Sequence, residues 1–185
     1  MRKIIILIAS LILSSSNSYA YGLHEDQIRC LADNIYWEAR NQSVRGMIAV
    51  GLVTENRVED NRYPDTYCEV VEQGPVRESW KQNGVYYPIK HRCQFSWYCD
   101  GKSDKIPEVD YDVYDVAMAI AYKIYYGPFF VDVTDGATHY HADYVFPEWA
   151  NSKTQTIKIG NHIFYRWESR SVSYTHLTLP TIYSV

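Results

Sequence analysis

The chain has 185 residues, with 18 basic and 22 acidic side chains and a formal net charge of −4. That length allows one domain with a real core. The acidic balance argues against a nucleic-acid partner, which calls for a basic face, and there is no basic tail to grip an anionic envelope.

Residues 1–20 read as a secretory signal peptide. Arg2 and Lys3 give a positive start, Ile4 to Leu13 is nearly all apolar, and Ser18-Tyr19-Ala20 is a small-x-small cleavage site. The apolar run is short for a transmembrane helix. Cleavage after Ala20 is expected to leave a mature chain that is exported to the periplasm or cell envelope without stable membrane insertion. Losing Arg2 and Lys3 leaves 16 basic against 22 acidic residues, a net charge of −6.

Cys30, Cys68, Cys93 and Cys99 all lie in the exported part. An even count in a secreted chain predicts two disulfides. Three pairings exist. Cys93–Cys99 closes a short loop and Cys30–Cys68 ties the first helix to the segment after the second, so these two are favoured. No C-x-x-C spacing supports a zinc site.

His24 to Arg40 is predicted as the first helix. Ile28, Leu31, Ile35 and Ala39 recur in steps of three and four, the period of one buried face. Glu38 lies at the end of this face, beside Tyr36 and Trp37. A carboxyl group held among aromatic rings has its pKa raised and can still carry a proton near neutral pH, as a general acid must. Its structural alternative is a surface glutamate pairing with Arg40.

Ser43 caps a predicted second helix, Val44 to Val58, with Met47, Val50, Thr54 and Val58 on one face. Thr66 starts a short helix to Gln73. Gly74 to Arg92 is expected to be irregular, and Cys93 to Gly101 to be an aromatic, cross-linked loop. Asp110 to Tyr126 is the third long helix, with Val113, Val116, Ala117, Ile120 and Ile124 spaced for burial, and Gly127-Pro128 ends it. Ala137 to Ala142 reads as strand. Thr156 to Ile159 and Ile163 to Trp167 flank Gly160-Asn161, the order of a hairpin. Ser171 to Val185 has no Asp, Glu, Lys or Arg and no helical pattern, and is excluded from the domain, taken as residues 21–170.

Seven stretches stand out in order: Asn34-Ile-Tyr-Trp-Glu-Ala-Arg40, Gly46 to Val50 leading to Asn56-Arg-Val58, Tyr63 to Cys68, Gln94 to Gly101, Gly136 to His141, Trp149-Ala150 and Ile159 to Phe164. Together they resemble the SleB/CwlJ-type cell wall hydrolases, a family of spore-cortex-lytic enzymes with relatives in Gram-negative bacteria and phages. The resemblance spans about residues 28–167. Glu55 departs from it, standing where an apolar residue is usual, and the stretch 74–92 is longer than in the short relatives.

The resemblance implies an α+β, lysozyme-like domain, mainly helical with a small C-terminal hairpin or sheet, that acts on peptidoglycan glycan strands. It implies a lytic transglycosylase with Glu38 as catalytic general acid and base. Tyr36, Gln94, Ser96, Trp97, His139, Tyr140, His141 and Trp149 are the candidate substrate-binding residues, since sugar rings offer C–H faces to aromatics and hydroxyl edges to amides. No cofactor and no metal are expected, and the chain is expected to act as a monomer.

Three alternatives stay open. A true muramidase needs a second carboxylate at a set distance, and Asp132, Asp135, Asp143 and Glu148 are its candidates. A zinc amidase could use His139 and His141, placed on one strand face, with Asp143 or His162. A wall-binding protein without catalysis is the third.

Overall fold

The computed structural model describes residues 22–127 and 129–167. The expected signal peptide and the tail 171–185 lie outside the described residues. Helix α1 runs over 22–39, and its predicted stripe is buried: Leu31, Ile35 and Ala39 have no exposed surface. Helix α2, Val44–Glu59, begins at Ser43, whose hydroxyl accepts from the Gly46 amide.

Helix α2 is buried on more than its predicted face. Ala49, Val50, Val53 and Thr54 are all fully covered. It is therefore the central helix, with α1 and helix α4 (Tyr111–Tyr126) against one side and a sheet against another. Gly51 makes this approach possible. A Cβ there would sit 2.6 Å from Ile124 Cδ1 and 2.9 Å from Ile35 Cδ1. On α4, Ala117, Ile120, Ala121 and Ile124 are buried, whereas Val116, expected inside, is exposed. Short helix α3, Tyr67–Glu72, is capped by Thr66 as expected, and Val70 and Val71 pack with Phe95 in a small third core.

The stretch 74–92 is not wholly irregular. It carries strands β1, Val76–Glu78, and β2, Tyr86–Pro88, paired antiparallel with Arg77 opposite Tyr87. Both strands are largely exposed, so no inside–outside alternation marks them in the sequence.

Strands β3 (His139–Ala142), β4 (Thr154–Ile159) and β5 (His162–Arg166) form an antiparallel sheet in the order β3-β5-β4. The predicted hairpin joins β4 to β5. Gly160 takes a φ of 57° at its turn, and a side chain there would collide with Gln42. Gln42 Oε1 accepts from the Asn161 amide at 3.1 Å, which fastens the hairpin to the end of α1. Phe164, fully buried, seats the sheet on Ala49 and Val53 of α2.

Two disulfides close the frame in the favoured pairing, Cys30–Cys68 and Cys93–Cys99. The first joins α1 to α3. The second closes the loop that carries Gln94, Ser96 and Trp97. Among the described residues no helix is long and apolar enough to cross a membrane.

Candidate active site

Glu38 lies in the last turn of α1, with the sheet beyond it. Register places Tyr140 opposite Phe164 on β5, and the Tyr140 ring packs on Phe164 and His162. From there its hydroxyl donates to Glu38 Oε2 at 3.0 Å. Burial raises the Glu38 pKa above the ordinary carboxyl range; the Tyr140 hydrogen bond and the Arg57 charge oppose this without reversing it. Burial, with the nearby Glu38 charge, pushes the Tyr140 phenol well above its usual value, so it stays a proton donor in this pair.

Arg57 reaches the same place from α2. It is almost wholly buried, and its Nε donates to the Thr138 carbonyl at 2.7 Å. Its guanidinium lies between Phe95, 4.9 Å from the ring centre, and Tyr63 at 5.5 Å.

Glu38 opens onto two cavities. One, of ≈ 410 Å³, is lined by Trp37, Trp97, Tyr140 and His162 among others. The other, of ≈ 140 Å³, is lined by Arg57, Gln94, Phe95 and Ser96, again with Tyr140. A third, of ≈ 280 Å³, shares Trp37, Ser96 and Trp97 with the larger one and continues to Arg40, Asp100 and Asp104. The shared walls make one groove, with Glu38 at the junction of its small and large parts. Its floor is rigid. Asn34, fully buried, accepts from Trp97 Nε1 at 3.0 Å and donates to Thr54 Oγ1 at 3.0 Å, so Trp97 is tied to α1 and α2 together. Trp97 in turn stacks on Trp37 with 6.3 Å between ring centres.

Gln94, Ser96, Trp97, Tyr140 and His141 thus line the groove with Glu38. Tyr36 does not. It continues the buried stripe four residues after Ala32, has no exposed surface, and donates its hydroxyl to Asp110 at 2.5 Å. Its neighbour Trp37 takes the expected place. His139 and Trp149 line neither cavity that holds Glu38 and pack on one another with Trp167 and Tyr63. Burial, reinforced by Arg57, Lys153 and Arg62, lowers the His139 pKa to about 3, so this ring is neutral.

The histidine pair has structural partners. The His141 Nδ1 lies 2.9 Å from the Ala142 carbonyl, which only accepts, so Nδ1 donates there; Nε2 lies 3.0 Å from the Tyr165 hydroxyl. Both nitrogens are engaged. Among the described residues no three His, Cys, Asp or Glu side chains gather as a metal site requires.

The four candidate second carboxylates are elsewhere. Asp132 accepts from the Thr134 and Gly136 amides and from Asn56, which folds the loop before β3. It borders a separate cavity of ≈ 390 Å³ with Glu55 and Glu59. Asp135 pairs with Arg166 and Asp143 with Lys158. Glu148 is exposed on the turn that starts the Glu148–Ser152 segment. Among the described residues none of these four lines a cavity that Glu38 lines, and Glu38 is the only carboxyl group in either.

Residues 41–165 match a family described as Cell Wall Hydrolase. The chain belongs to the cell wall hydrolase family. The matched span begins three residues after Glu38, so the place of Glu38 in the site rests on the groove itself. No curated protein matches the chain.

Two solved structures resemble this cell wall hydrolase. The catalytic domain of the Bacillus cereus SleB protein is 23% identical, with a TM-score of 0.54 over 77% of this chain and 91% of that one. The catalytic domain of germination-specific lytic transglycosylase SleB from Bacillus anthracis is 24% identical, with a TM-score of 0.53 over 76% and 93%. The likeness establishes the fold, the lysozyme-like α+β arrangement that the sequence implies.

Arg57 and Trp37 were the site residues hardest to see in the sequence. Arg57 follows Val50 and Val53 by seven and four residues on a buried stripe. A cation in such a stripe is the signal, because a buried charge must be paired or used.

Proposed function

We propose that this cell wall hydrolase is an exported, monomeric lytic transglycosylase that cleaves the MurNAc–GlcNAc bond of peptidoglycan, with Glu38 as its single acid and base. One observation carries the reading: among the described residues Glu38 is the only carboxyl group lining the two cavities it opens onto, and burial holds its pKa up. As the neutral acid it protonates the glycosidic oxygen. As the carboxylate, with the Tyr140 hydroxyl and the Arg57 charge at hand, it takes the proton of the MurNAc C6 hydroxyl. That hydroxyl attacks C1 and closes the 1,6-anhydro ring. One carboxyl group serves both steps, and no water is consumed. The stacked Trp37 and Trp97 give the sugar faces a platform.

The test is mass spectrometry of muropeptides released from purified sacculi. Anhydro-MurNAc ends, lighter by one water than reducing ends, are expected at an unchanged rate in EDTA. Reducing ends would mean hydrolysis and would direct the search for a second carboxylate to Asp100 and Asp104, in the adjoining part of the groove. Free stem peptides with EDTA sensitivity would mean an amidase.

A further inference from the structure

The β1–β2 hairpin stands apart from the core. Among the described residues none of 76–88 enters a core cluster. Trp80 is 90% exposed, and Val76, Tyr86 and Tyr87 are exposed with it. A lone two-stranded hairpin gains little stability in water, and rings left open together mark a contact surface. A recess of ≈ 390 Å³ is walled by Arg77, Glu78, Ser79, Trp80, Lys81 and Tyr87. None of these lines a cavity of the groove. Arg77 and Tyr87 face each other across the strands, and Lys81 Nζ lies 4.9 Å from the Trp80 ring centre, so the recess sets cations beside rings.

The hairpin continues the wall of the groove. At its base the Gln94 amide donates to the Gln73 carbonyl at 2.8 Å and the His91 amide to the Cys99 carbonyl at 3.0 Å. It therefore rises from the cross-linked loop that carries Gln94, Ser96 and Trp97. At about 3.3 Å for each residue, Trp80 is within roughly 20 Å of that base. Its charge limits the occupant. Residues 74–92 hold Arg77, Lys81, Lys90 and Arg92 against Glu78, a net +3 with His91 neutral, in a chain whose net charge is −4. All four cations are exposed, and among the described residues none of the four is ion-paired. Such a surface suits an anionic ligand with apolar parts. The turn itself is Gln82-Asn83-Gly84, held where the Glu78 carboxylate accepts from the Gly84 amide at 2.7 Å. A polar tip gives no apolar wedge to enter lipid.

On the reading that the substrate is peptidoglycan, the polymer itself supplies that ligand. Its N-acetylated sugars are neutral, whereas its stem peptides carry free carboxylates on short aliphatic residues. We propose that the β1–β2 hairpin is a second, non-catalytic contact with the wall that takes the stem peptides. Arg77 and Lys81 meet stem carboxylates, and Trp80 and Tyr87 pack on the aliphatic parts. A stem on the strand held in the groove, or on its neighbour, reaches the hairpin without a second encounter in solution, so the two contacts reinforce each other. The groove reads the glycan and the hairpin reads what the glycan carries.

Sedimentation of the E38Q protein tests this with two probes, intact sacculi and glycan strands stripped of their stems by an amidase. Adding W80A/K81Q should weaken binding to intact sacculi about tenfold, the combined scale of one aromatic contact and an exposed ion pair. Binding to the stripped strands should not change. R77Q should act in the same direction, and raised salt should shrink the difference between variant and parent. All three positions are exposed, and a melting curve on each sample confirms that the variants fold. Undiminished binding of W80A/K81Q to intact sacculi would overturn the hairpin's role and leave the peptidoglycan reading intact. An equal loss on stripped strands would mean that the hairpin reads sugar, against the proposal. Binding of E38Q to phosphatidylglycerol vesicles that W80A/K81Q abolishes, with sacculus binding unaltered, would mean a membrane surface instead. Binding of E38Q to neither sacculi nor strands would overturn the peptidoglycan reading itself.

Discussion

Removing the Cys30–Cys68 bridge should lower stability without touching catalysis. The two cysteines are 38 residues apart, and closing a loop of that length removes chain entropy worth about 4 kcal/mol at 25 °C. The native contacts around the bridge survive its loss, since Leu31 and Ile35 stay in the core and the Cys68 amide still donates to Gln27 at 3.1 Å. The effect therefore falls mainly on the unfolded state. At roughly 2–4 °C for each kcal/mol in a domain near this size, a C30A/C68A protein should melt about 10 °C lower. Differential scanning calorimetry at neutral pH measures it, beside peptide mapping that confirms the bridge in the parent. Neither cysteine lines the groove, so the rate on sacculi below the transition should match the parent. A drop under about 3 °C would refute the entropic argument, and a lost rate in folded protein would refute the placing of the bridge outside the site.

The Cys93–Cys99 bridge closes only six residues. C93A/C99A should cost about 2 kcal/mol but raise KM, because that loop positions Ser96 and Trp97; an unchanged KM counts against the groove. W97A removes the stack on Trp37, and sedimentation with sacculi should show binding about tenfold weaker, the scale of one aromatic contact. N34L keeps the volume and strips partners from Trp97 and Thr54, so denaturant titration should show a loss of about 2 kcal/mol. The fourth concerns pH. Glu38 has a folded pKa raised above its ordinary 4.5, so the native state holds this proton more tightly than the unfolded chain. Its favourable contribution is complete below the ordinary value and is lost as pH rises through the folded pKa. The melting temperature of E38Q relative to the parent should therefore climb between acid and neutral pH, and a fall would contradict the burial of Glu38.

The helices were legible because an apolar step of three and four residues maps directly onto one buried face, and Ser43 and Thr66 stand where a cap must stand. The β4–β5 hairpin was legible because Gly160 alone tolerates its turn beside Gln42. The disulfides follow from one short loop. Other features carried no such mark. Strands β1 and β2 are three residues each and exposed, so nothing alternates. Tyr36 and Trp37 are neighbours of similar character, and only the packing of α1 on α4 decides which is buried. Val116 fits the spacing of α4 but lies at the edge of its buried stripe. The pair His139 and His141 does share a face, as spacing requires, yet Trp149 and Tyr165 occupy that face with them. That Glu38 has no second carboxylate in its cavities among the described residues is a fact of tertiary structure, since Asp132 is held by the Thr134 and Gly136 amides and by Asn56, Asp135 by Arg166 and Asp143 by Lys158.

The measurement that bears most directly on the account is the turnover of purified sacculi by E38Q, with its melting curve recorded on the same sample. The amide keeps the shape of the side chain and cannot give up or take a proton in the reaction. A folded E38Q protein with its rate reduced by about 10²–10⁴-fold is the predicted result. A folded protein that keeps more than about a tenth of the parent rate would show that the proton comes from another group.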